Sequence, residues 1–96
     1  MYSKGEGVPQ DLKEAVRLFR LSADQGKVTA QYNLGVMHIK GEGVLQDYVS
    51  AHMWFNICGS RGDEGCVKKR NILQKIMSKQ QIEKAQEMAR NWKPKK

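Results

Sequence analysis

His38, His52, Cys58 and Cys66 are the side chains of this 96-residue chain with the chemistry of a transition-metal centre. Structural zinc takes four such ligands, usually delivered as short pairs about two to five residues apart that one turn aims at one point. Here the histidines stand 14 residues apart and the cysteines 8, so neither pair has CxxC or HxxxH spacing. No metal is expected, and no other cofactor. Catalysis is equally short of parts: serines, histidines and acids are present, but nothing links them as a triad or places one in a nucleophile motif. An enzyme is not expected. The Gly-x-Gly turns at residues 5–7 and 41–43 could offer amides to a phosphate, yet no strand pattern precedes them and no Gly-Lys-Ser/Thr follows.

What remains is electrostatic. The net charge is +7, and it is unevenly placed. Residues 1–60 hold six basic and six acidic residues, whereas residues 61–96 hold eleven and four, so the whole excess lies in the last third. A solvated outer face ending in a disordered basic tail, residues 93–96, accounts for this. The alternative is a polyanion or nucleic acid bound through that third. Binding of single strands normally needs stacking aromatics beside the charges. Only Trp92 accompanies them, at a spacing that suits core packing, so nucleic acid is not the expected partner.

The elements that would position these residues follow from an internal repeat. KGEGVPQD at residues 4–11 returns as KGEGVLQD at 40–47, and sliding the chain by 36 gives ten identities in the 23 positions of 4–26 against 40–62. Fixed-period similarity of this kind is the mark of a stacked repeat architecture. Between the loops the periodicity is helical. Asp11 and Glu14 have capping-box spacing at a helix start, and Ala15, Leu18, Phe19, Ser22 and Ala23 share one face before Gly26. A second helix runs from about Val28 to Lys40, with Ala30, Leu34, Gly35 and His38 inward. There Gly35 lets another helix approach closely, a benefit that can outweigh the roughly 1 kcal/mol helix penalty of glycine. Gly41 and Gly43 turn the chain, and Asp47 caps a third helix whose Ala51, Trp54, Phe55, Cys58 and Gly59 face inward. Past Gly62 the pattern lapses. Ser78 and Gln81 then form a second capping box, with Met77 and Ile82 as its hydrophobic staple, and Ile82, Ala85, Met88, Ala89 and Trp92 line the last helix.

The expected fold is all-α: an α/α solenoid of helix hairpins, about five helices, with a divergent C-terminal capping helix pair. Residues 1–96 form one domain, divided into a partial repeat (1–26), a full repeat (27–62), a cap (63–92) and the tail. A chain this short buries only about two-thirds of its unfolded surface, enough for one core. No run of about 18 apolar residues spans a membrane, and no signal-peptide h-region is seen, so an exported parent would place this chain after its cleavage site.

Residues 4–62 resemble the Sel-one-like repeat family, helical repeats akin to the tetratricopeptide repeats. Ala30, Leu34, Gly35, Gly41, Gly43, Val44, Asp47, Ala51, Trp54, Gly59 and Gly62 stand where that family's pattern places the same residues. His38, Ser50 and Cys58 depart from it, as do Glu14 and Leu18 in the first copy. MWFNI followed by a divergent helix pair is similar to the C-terminal end of many bacterial members. The resemblance implies a protein–protein interaction module or scaffold, with the first helix of each pair lining a concave surface. Off the packing face there lie Thr29, Asn33, Val36 and Lys40, and one period later Lys69, Ile72 and Ile76. A peptide or protein loop could cross them, with Asn33 bonding its backbone and Lys40 or Lys69 pairing with a carboxylate. Relatives rich in cysteine have been linked to β-lactam binding, but no Ser-x-x-Lys motif occurs here.

Such relatives also join consecutive helices through cysteines eight apart, which implies a Cys58–Cys66 disulfide and an exported, periplasmic bacterial protein. Helix ends joined by a short glycine turn can bring α-carbons within the ~6 Å that a disulfide needs. Two small buried thiols in a reducing cytoplasm are the alternative. By register the chain begins where a preceding helix should finish. The Asp11–Gln25 helix therefore lacks a neighbour on one side, and its Val16, Phe19 and Leu21 cannot all face the next hairpin. An upstream repeat would cover that side. For the chain as given, a homodimer through the N-terminal helix is expected.

Overall fold

The computed structural model describes residues 8–95. Five helices follow one another: α1 (Val8–Asp24), α2 (Val28–Lys40), α3 (Tyr48–Ser60), α4 (Glu64–Gln74) and α5 (Lys79–Asn91). There is no strand among the described residues. Helix α1 packs on α2, α2 on α3, and α3 on both α4 and α5, which is the all-α solenoid expected.

The helix starts show how local chemistry sets the register. Asp47 accepts the Ser50 amide at 3.2 Å and the Ser50 hydroxyl at 2.7 Å, opening α3 where expected. At α5 the capping box is complete: the Gln81 amide donates to Ser78 Oγ at 3.0 Å and the Ser78 amide to Gln81 Oε1 at 2.8 Å. Met77 and Ile82 meet in the same core cluster, as a staple requires. Helix α1 differs from its expected start. It begins at Val8, so Asp11 lies inside the first turn, and Glu14 accepts instead from Arg17 at 2.6 Å. The reason is Pro9, which has Leu45 as its counterpart in the second copy. Proline has no amide to leave unpaired, and its fixed φ suits a first turn. Residues 4–7 of the first glycine turn lie outside the described residues.

The second copy of that turn is fully described. Gly41 takes φ 72° and returns its amide to Met37 O at 2.7 Å. The Gln46 side chain donates to Ile39 O at 2.9 Å and the Asp47 amide to His38 O at 2.9 Å, so the loop satisfies carbonyls that α2 leaves open. Gly43, at φ 74°, presses its backbone on α1: an added Cβ would sit 2.7 Å from the Leu12 carbonyl oxygen. The loop is both an elbow and a wedge.

Helix α3 is central because it is apolar around its circumference. Trp54 and Ile57 join Val16, Ala23, Ala30, Leu34 and Met37 in one cluster, with Phe19 and Trp92 at its margin. Ala51, Phe55 and Cys58 join Cys66, Leu73, Met77 and Ala85 in a second. Phe55 fills the space over Gly35, where a Cβ would stand 2.6 Å from its ring, so the close approach expected of that glycine is real. Lys95 lies against the end of α1. Its backbone amide donates to the Asp24 carbonyl and its ammonium lies 3.6 Å from the Asp24 carboxylate. That carboxylate, at the end of α1, is the local charge that draws the lysine in.

Candidate partner-binding surface

Cys58 and Cys66 are joined by a disulfide with α-carbons 5.9 Å apart. Both are fully buried, so the bond ties the end of α3 to the first turn of α4 inside the second core cluster. It also removes both sulfurs from any ligand set. Asp63 prepares this geometry by capping α4, accepting the Cys66 amide at 2.9 Å. The sequence signal for this cap is local, an aspartate three residues before the amide that it accepts.

The histidines are packing groups. His52 is fully buried with Nε2 2.8 Å from Gln74 Oε1, so its N–H donates to the carboxamide and ties α3 to the last residue of α4. Burial pushes its pKa below the ordinary value, the Gln74 bond opposes this, and Arg70 lowers it further. His38 is pushed down chiefly by burial. The Leu45 backbone and Asp47 oppose that shift, although neither ring nitrogen meets hydrogen-bond geometry, and Arg20 adds to it. Among the described residues no three of His, Cys, Asp and Glu gather closely enough to hold a metal ion.

The expected partner face runs over α2 and α4. These helices come together where Tyr32 passes Gly65, whose missing Cβ would lie 3.9 Å from the tyrosine ring. Thr29, Lys40, Lys69, Ile72 and Ile76 are exposed, and Asn33 is half-buried. Val36 needs correction, and Ile76 lies just outside the helix. Val36 is half-buried and packs on the second core cluster beside Tyr32 and Ile39, because α2 is rotated to lay that side against the core. Ile76 follows α4 in a turn, its amide bonded to Leu73 O at 3.1 Å, since the helix ends at Gln74. The turn does not bury it. Ile72 and Ile76 remain 63% and 64% exposed, unusual for isoleucine, and Lys68, Lys69 and Lys75 stand around them.

No described helix is long and apolar enough to cross a membrane. The family model of the Sel1 repeat matches residues 1–27 and 28–63. The comparison with curated proteins gave no match. Among solved structures, the chain is similar to c5321, a protective antigen present in uropathogenic Escherichia coli strains and displaying an SLR fold. The two share 31% identity at a TM-score of 0.82, over 92% of this chain and 19% of that one. The chain thus spans about a fifth of that protein's length. Repeated glycine turns, the close α2–α3 contact and these matches agree: the chain belongs to the Sel1 repeat family.

Proposed function

We propose that this chain is a protein-interaction module whose partner, a peptide or protein segment, lies across the α2–α4 face. The repeat family is a protein-interaction scaffold rather than a typical enzyme fold. One observation carries the placement: Ile72 and Ile76 stay mostly exposed beside exposed lysines, on a cap whose outer face should be polar. Lys40 and Lys69 would pair with carboxylates of the partner and the isoleucines would take its apolar residues. Affinity purification from the native host, run with the wild type and with Ile72→Ser/Ile76→Ser, should retain a protein that the variant loses. Equal retention by both would overturn the placement. The rival reading, a polyanion bound through residues 61–96, requires nonspecific DNA binding with a steep salt slope. No binding at low salt removes it.

The exposed leucines of α1 support a homodimer through that helix. Leu18 and Leu21 stand one period before Trp54 and Ile57, which are each 4% exposed, yet they are themselves 50% and 52% exposed. Val16 and Phe19 face inward, whereas Leu18, expected on the packing face beside Phe19, faces out, so the open stripe is centred on these two leucines. A two-fold contact between α1 helices covers it. Light scattering at micromolar concentration should give twice the 11.0 kDa chain mass, and Leu18→Glu/Leu21→Glu should give one chain mass. A wild-type mass of one chain refutes the dimer. The disulfide supports an oxidising compartment such as the bacterial periplasm.

A further inference from the structure

On another side of the molecule the ends of α3 and α5 meet around a cleft of about 290 Å³. Arg61, the residue that ends α3, and Arg90, in the last turn of α5, both line it. Trp92 and the buried Ile57 supply apolar surface, and the Trp92 ring is held edge-on to Trp54 at 6.1 Å between centroids. Neither arginine has a carboxylate partner among the described residues, and no acidic residue lines the cleft.

The polar groups are sorted by what their own bonds leave free. Asn56 Oδ1 already accepts from Arg70 Nη1 at 3.1 Å, so the Asn56 amide group remains as a donor. Ser60 Oγ donates to Ile57 O at 2.7 Å, so its oxygen remains as an acceptor. Arg61 is seated against the α1–α2 turn, its guanidinium 3.7–3.9 Å from where a Cβ on Gly26 would lie. The cleft is therefore lined by two arginines and an amide donor that suit an anion, one acceptor that suits an N–H, and an aromatic wall that suits an apolar group. Two helix C-termini oppose an anion, each with about half a negative charge, but two full positive charges outweigh them.

We propose that this cleft binds a carboxylate attached to an apolar group, in the manner of the last residue of a peptide chain. The arginines take the carboxylate, Ser60 Oγ accepts the N–H of the same residue, and Trp92 and Ile57 cover its side chain. The volume suits one residue and lies just below the range of drug-sized ligand sites, about 300–1,000 Å³. Nucleic acid fits it poorly, since the cleft offers one aromatic wall and no track for successive phosphates.

N-acetylphenylalanine, its C-terminal amide, and a single-stranded 20-nucleotide DNA serve as probes, read by the Trp92 indole N–H resonance in a proton–nitrogen correlation spectrum. Saturable millimolar binding of the free acid is expected, weakened at least about tenfold in the amide and in Arg61→Ala/Arg90→Ala, because a charged hydrogen-bond pair is lost. Both arginines are exposed, so an unchanged melting temperature of the variant shows that the fold is intact. Equal binding of acid and amide, no saturable shift with the acid, or DNA binding displaced by neither small probe would each overturn the assignment. The Ile72→Ser/Ile76→Ser variant should bind the acid as the wild type does, which separates this cleft from the α2–α4 face.

Discussion

Phe55→Ala destabilises the protein by about 3–5 kcal/mol, the range for emptying a fully buried aromatic site. Phe55 has no exposed surface, meets the edge of Tyr32 at 5.8 Å between ring centroids, and lies over Gly35. The neighbouring glycine gives the sharper test. On an isolated helix, Gly35→Ala stabilises by about 1 kcal/mol. Here the new methyl would stand 2.6 Å from a fully buried ring, and overpacking of that kind costs roughly 1–3 kcal/mol. The net effect is destabilising in the wild type. With Phe55→Ala the obstruction is gone, and Gly35→Ala turns stabilising. Urea unfolding of the four proteins of this cycle measures the reversal. Additivity within about 0.5 kcal/mol would mean that the two residues do not compete for one space.

Removing the disulfide comes next in size. Cys58→Ala/Cys66→Ala frees an eight-residue loop in the unfolded chain, which the loop-entropy relation puts at about 2.5 kcal/mol. For a domain of this length that lowers the melting temperature by roughly 10–20 °C. Calorimetry with and without reductant on the wild type, beside the double alanine variant, should show the reduced protein and the variant melting together below the oxidised one. Two alkylatable thiols in denatured protein taken from its native compartment, with no change of melting on reduction, would refute the bond as a feature of the working protein.

Much of this was legible because the informative residues act locally. Asp47 and Ser78 bond amides three residues away, and Gly41 and Gly43 take positive φ, so their effects do not depend on distant neighbours. The bounds of α2 followed from them, and the inward faces of α2 and α3 from the spacing of their apolar residues. What escaped depended on rotation and on partners far along the chain. Val36 looked free because its burial is set by how α2 rolls against the second core cluster. His52 and Gln74 lie 22 residues apart, and nothing in their local spacing announces the bond between them. The cleft between Arg61 and Arg90 exists only once α5 has docked on α3. Pro9 is a local signal too, since its place in the first turn starts α1 ahead of Asp11.

The wedge at Gly43 links stability across the stack. Since the turn after α2 rests directly on the α1 backbone at Leu12 and on the Val16 side chain, unravelling of α1 withdraws support from the α2–α3 hairpin, and loosening of that turn releases α1. In a linear array, such nearest-neighbour terms decide whether units melt singly or in concert. A turn that costs little by itself thereby acts as the coupling constant between units, and the glycines of KGEGV set the length of chain that opens together.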